Sequence, residues 1–104
     1  MQRGEVWWAN MSPPTGRRPV LLLSRNSIYS VRANITVAPI TRTTRGIRSE
    51  VPLGLIDGMP RDCVVSLDDI VTIRRRLLDT QQTTLSEEKM LAVEAAIRFA
   101  LELP

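Results

Sequence analysis

The chain has 104 residues, one cysteine, no histidine, and 14 basic against 11 acidic side chains. No apolar run approaches the roughly 18 residues that a membrane span needs, and a lone Cys63 excludes an internal disulfide. The missing imidazole removes the commonest general base and metal ligand, together with every Ser-His or Cys-His nucleophile pair, and leaves chemistry to arginine, carboxylates, hydroxyls and backbone.

A chain of this length is expected to fold as a single domain over residues 1–104. Gly4 to Ala9, with Val6, Trp7 and Trp8, reads as an opening strand, its two indoles on opposite faces. Asn10 to Arg18 reads as an irregular loop, since Pro13, Pro14 and Gly16 exclude regular structure. Pro19 to Ser24 is a short continuous apolar run, the mark of a strand buried on both faces. A helical turn is predicted over Asn26 to Arg32, then a strand from Ile35 to Ile40, with Pro39 at a bulge or an edge. Thr41 to Gly46 is a basic loop, Arg48 to Leu53 a strand, and Gly54 to Pro60 a turn. Cys63 to Leu67 and Ile70 to Ile73 read as strands broken near Asp68 and Asp69. Many short strands with irregular connections predict a small, strongly curved antiparallel sheet or SH3-like barrel, mainly β with some α.

The period then changes. Thr84 and Glu87 have capping-box spacing, with Ser86 a competing cap. Met90, Val93, Ile97, Ala100 and Leu101 fall on one face of a helix of roughly four turns, with Glu87, Glu88, Glu94 and Arg98 toward water.

Charge is distributed unevenly. Residues 1–76 carry 12 arginines against six acids, a net of +6, while residues 77–104 carry a net of −3. An Arg-rich segment suits a phosphate backbone, because the planar guanidinium grips two phosphate oxygens at once. The adjacent Asp68 and Asp69 offer no ligand spacing for a metal, so neither a metal nor a cofactor is expected. The amino-terminal residues do not read as a signal peptide, and a reducing, cytoplasmic setting is expected.

Arg3-Gly4-Glu5-Val6-Trp7, the Pro-rich loop running into Arg17-Arg18-Pro19-Val20-Leu21-Leu22-Leu23-Ser24, and Ile35 to Thr41 ending in Pro-Ile-Thr together resemble toxins of the MazF/PemK family. Glu50-Val51-Pro52-Leu53, the Val64 to Asp69 run, Thr72-Ile73 and the last helix continue the resemblance in order. It implies a curved, barrel-like sheet with a terminal helix, paired as a homodimer. The activity it implies is metal-independent cutting of single-stranded RNA (mRNA, tRNA or rRNA), with 2′,3′-cyclic phosphate and 5′-hydroxyl ends, restrained by an acidic antitoxin.

By the same resemblance Arg18 is the catalytic arginine, Thr41 the active-site hydroxyl, and Asp68 a base or a base-recognition residue; Asp68-Asp69 reads equally as a turn. Arg17, Arg42, Arg45 and Arg48 flank these positions as candidate phosphate contacts. The loop before Arg17 is shorter than in many relatives, and Asp69 and Val71 stand where Gln and Arg are common, which bears on sequence preference. Two other readings share these features. One is a gyrase-binding toxin of the CcdB type, although that group's Trp-Gly-Ile tail is missing here. The other is a non-catalytic RNA-binding barrel, although such modules stack bases on several aromatics and this chain has four in all.

Overall fold

A computed structural model describes all 104 residues. It contains seven strands and one helix: β1 Glu5–Asn10, β2 Arg17–Leu22, β3 Asn34–Thr41, β4 Glu50–Leu53, β5 Cys63–Ser66, β6 Val71–Arg74, β7 Leu78–Thr84 and α1 Glu87–Leu101. The strands form a curled antiparallel sheet in the order β4-β5-β3-β2-β1-β7, and β6 adds to β3. This is the predicted mainly-β architecture with a terminal helix.

Strand β2 is covered on both faces, as its unbroken apolar run requires. Leu21 joins a cluster with Val6, Ala38, Ile40, Val65 and Leu67 that α1 closes through Val93 and Ala96. Val20 and Leu22 join a second cluster on the opposite face with Ala9, Tyr29, Ile35, Val37, Ile73 and Leu78. Strand β3 alternates in the same way: Ile35 and Val37 enter the second cluster, Ala38 and Ile40 the first.

Pro39 lies inside β3 and yet costs no ladder hydrogen bond. Leu23 N donates to Thr36 O at 3.0 Å, so alternation along the ladder turns the Pro39 nitrogen away from its β2 partner Val20. It faces the edge where β3 exchanges neighbours, with Val37 paired to Val71 of β6 and Ile40 to Val65 of β5. The expected edge position is therefore a local one, within a strand that is central to the sheet.

The structure departs from the sequence reading at four points. Arg17 and Arg18 belong to β2, paired with Asn10 and Ala9, and not to the preceding loop. Strand β7 is a polar segment that composition does not flag; it pairs with β1 alone and leaves most of its side chains exposed. Thr84 ends that strand, so the helix cap is Ser86, whose Oγ accepts from Lys89 N at 3.1 Å. Of the predicted apolar stripe, Val93 is buried and Met90, Ile97 and Ala100 pack partly against the core, whereas Leu101 is exposed and Ala96 takes the buried place. The helix is too short to cross a membrane.

Removing the Ser86 hydroxyl leaves a helix N–H without its partner. Ser86→Ala is expected to cost about 1 kcal/mol, seen as a fall in thermal midpoint of about 4–8 °C. An unchanged midpoint would mean that water replaces the cap at no cost.

Candidate active site

Where β1, β2 and β3 curl toward the 58–63 segment, they enclose a cleft of about 490 Å³. Its floor is apolar, with Ile40, Met59 and Cys63 reaching up from the first core cluster. Its walls carry Arg17, Arg18, Arg42 and Arg61, with Trp8, Thr41 and Thr43, and no carboxylate lines it. Arg18, Arg42 and Arg61 make no ion pair within the chain, and around a floor of low polarity they make a field for a polyanion, which desolvation of that floor strengthens.

Arg18 sits at the start of β2 opposite Ala9, is half-buried, and makes no side-chain hydrogen bond or ion pair within the chain. The strand thus fixes its backbone, and the guanidinium donors are free. Thr41 ends β3, and its hydroxyl oxygen accepts from Thr43 N at 3.2 Å. That bond uses a lone pair and leaves the Thr41 O–H proton to donate. The expected strand-end hydrogen bond and an available donor therefore coexist.

Arg17 is differently committed. Its Nη2 and Nε donate to the two Asp79 oxygens at 2.9 and 3.3 Å, and Asn10 Nδ2 donates to the same carboxylate at 2.7 Å. The Arg17 guanidinium carbon stands 4.7 Å from the centre of the Trp8 ring. Hydrogen bonding from Arg17 holds the Asp79 carboxyl down at about 2. A carboxyl lowered in the native state stabilises it fully above the ordinary value of 3.8, and that contribution fades as pH falls through about 2. An NMR titration of the Asp79 carboxyl carbon is expected to give a midpoint near 2, and Arg17→Ala should return it toward the ordinary carboxylate range.

The two indoles divide as their alternation predicts. Trp7 packs against the second core cluster, with Nε1 donating to Glu5 Oε1 at 2.8 Å. Trp8 enters the cleft, with Nε1 donating to Gln82 Oε1 at 2.9 Å.

Not every predicted site residue arrives here. Asp68 lies in a short 3-10 turn, Leu67–Asp69, outside the cleft. Its carboxylate accepts from the buried Ser49 hydroxyl at 2.5 Å, and Leu67 N donates to Ser49 O at 2.9 Å. The turn reading is the one observed: Asp68 braces the segment entering β4, and Asp69 accepts from Ser66 Oγ at 2.8 Å. Arg45 and Arg48 also lie outside the cleft. The Arg45 backbone N–H donates to Glu50, and the Arg48 guanidinium covers the Phe99 ring at 4.4 Å. Arg61 was not foreseen, because it arrives from a turn remote in sequence from the other arginines. Its only local signal is a basic residue directly after Gly58-Met59-Pro60.

Residues 2–101 match the model of the PemK-like, MazF-like toxin of type II toxin-antitoxin systems. The chain belongs to the PemK/MazF toxin family. Among its relatives in that family, the probable endoribonuclease MazF5 of Mycobacterium tuberculosis is 38% identical over 101 residues, covering 96% of this chain and 92% of the relative. The probable endoribonuclease MazF2 of the same organism is 38% identical over 91 residues, covering 86% and 87% respectively. Of solved structures, the Mycobacterium tuberculosis toxin MazF-mt6 superposes with a TM-score of 0.89 at 35% identity, over 96% of this chain and 98% of its own. A mycobacterial endoribonuclease in complex with its cognate antitoxin superposes with a TM-score of 0.88 at 26% identity, over 100% and 97%.

Proposed function

We propose that the protein is the toxin of a toxin–antitoxin pair and an endoribonuclease that cuts single-stranded RNA in this cleft without a metal. The observation that carries this reading is the three arginines of the cleft wall that no carboxylate engages, Arg18, Arg42 and Arg61, beside the free hydroxyl proton of Thr41. Cutting by the neighbouring 2′-hydroxyl passes through a phosphorane with added negative charge. It leaves a 2′,3′-cyclic phosphate and a 5′-hydroxyl.

In this reading Arg18 holds two phosphoryl oxygens through its unpaired fork, and Thr41 donates to one of them. Both stabilise the charge that develops as the ring closes. Arg42 and Arg61 hold the flanking phosphates. An extended acidic antitoxin segment would inhibit by placing carboxylates against the same arginines. Two copies of the chain pair as a homodimer, a reading supported by the exposed Leu91, Phe99 and Leu101 on α1. The setting is the reducing cytoplasm, in keeping with a single buried, unpaired Cys63.

The test is incubation of the purified protein with a mixed-sequence single-stranded RNA in EDTA, followed by analysis of fragment ends. Cutting that persists in EDTA and leaves 5′-hydroxyl ends is expected. An RNA that survives intact across a broad range of sequences would remove the nuclease and turn attention to gyrase as the target.

A further inference from the structure

Strand β7 runs beside β1 with two breaks in register. Val6 pairs with Thr83 but Trp7 with Gln81, so Gln82 is an extra residue; Trp8 pairs with Thr80 but Ala9 with Leu78, so Asp79 is another. A bulge leaves its extra residue outside the ladder and re-aims its side chain. Here both re-aimed side chains serve one neighbourhood: Gln82 Oε1 takes the Trp8 indole N–H and Asp79 takes the Arg17 fork. Gln82 Nε2 also donates to Gly58 O at 2.9 Å, which ties the Trp8 edge to the turn on the other side of the cleft.

The result is a layered arrangement. Trp8 stands opposite Pro19, and Arg17 lies two residues away on the same face of β2, the diagonal position from which a long side chain covers an aromatic ring. The Arg17 side chain keeps 47% of its surface exposed while two of its three nitrogens are engaged by Asp79. A guanidinium so committed is a poor phosphate clamp, because a bidentate phosphate would have to displace a bidentate carboxylate. With one face over Trp8, the face left for a ligand is the one turned away from the ring, and bases stack on guanidinium planes as they do on aromatic rings. Arg18, Arg42 and Arg61 make no ion pair within the chain and are left for phosphates.

We infer that Arg17, laid on Trp8 and fixed there by the bulged residues Asp79 and Gln82, is a stacking platform for one unpaired nucleobase beside the cut. Arg17 thereby contributes to sequence preference, and Asp79 is a positioning residue. The inference rests on the nuclease reading, since it takes single-stranded RNA as the occupant of the cleft.

The probe is a short RNA of the sequence the protein cuts best, with a 2′-deoxy sugar at the cut to block cleavage. Each nucleotide flanking the cut carries 2-aminopurine or an abasic site in turn. At one position 2-aminopurine fluorescence is expected to be quenched on binding, and the intact RNA to bind about tenfold more tightly than its abasic form. Arg17→Lys keeps the charge and loses the plane, so it should remove both the quenching and the preference for the intact base. It should bind the abasic RNA as the unaltered protein does. Asp79→Asn separates the roles further: freeing the fork tightens binding if Arg17 is a phosphate clamp, but lowers the preference for intact over abasic RNA if it is a platform.

An equal loss on intact and abasic RNA in Arg17→Lys, or tighter binding with an unchanged base preference in Asp79→Asn, would overturn the platform. If the unaltered protein cuts RNA but shows no base dependence through Arg17, this inference alone fails. If it neither binds nor cuts any RNA, the nuclease reading falls and takes this one with it.

Discussion

Arg18→Ala is expected to slow RNA cleavage about 1,000-fold while leaving the fold intact, in line with the loss of one preorganised donor to a developing oxyanion. The fold should survive because the side chain is only half-buried and has no partner in the chain whose loss would orphan a polar group. The kinetic loss is large because the unpaired guanidinium can give two donors to the charge that appears on the phosphorane, in a cleft with an apolar floor. Arg18→Lys should recover only part of the rate, since an ammonium is a point charge and lacks the fork that holds two oxygens. Single-turnover rates in EDTA, with circular dichroism as a check on folding, decide the matter. A rate within tenfold of the unaltered protein would move the reaction away from Arg18.

Gly58→Ala is expected to destabilise the chain by about 3 kcal/mol, the sum of a left-handed backbone at a non-glycine residue and overpacking against a fixed neighbour. Gly58 has φ +87°, and a Cβ there would lie 2.3 Å from Thr83 Oγ1 and 2.8 Å from Thr83 Cβ. Thr83 cannot easily yield, because its hydroxyl donates to Asp57 O at 2.9 Å within β7. The same turn carries Met59, Pro60 and Arg61 into the cleft, so cleavage should fall with stability. Urea unfolding measures the first effect. A midpoint shift equivalent to less than about 1 kcal/mol would mean that the turn slides away from β7 and relieves the contact.

Much of this molecule is legible in its sequence. The unbroken run Val20-Leu21-Leu22 requires a strand covered on both faces, and the two core clusters meet on either side of it. Pro39 requires a place without a ladder partner on its nitrogen side, and β3 supplies one where it exchanges β6 for β5. The change to a helical period after Leu85 marks α1. Ser86 and Thr84 were both eligible as its cap, and the choice between them was made by the extension of β7 to Thr84.

The site was only partly legible. Arg18 and Thr41 were singled out by the motifs around them, and both line the cleft. Asp68 was singled out with them, yet the 3-10 turn at Leu67–Asp69 directs its carboxylate to Ser49. A strand–turn boundary can send such a side chain either way, and local sequence does not decide which.

Sequence by itself determined the curved antiparallel sheet, the apolar body of β2 and the terminal helix, because hydrophobic period and prolines act over a few neighbouring residues. Tertiary structure alone decided which charges meet. Asp79 reaches Arg17 across 62 residues, Gln82 reaches Trp8 across 74, and Arg61 enters the cleft from a separate turn. Those contacts follow from bulges and strand order, which depend on how the whole sheet closes and leave no period in the chain to be read.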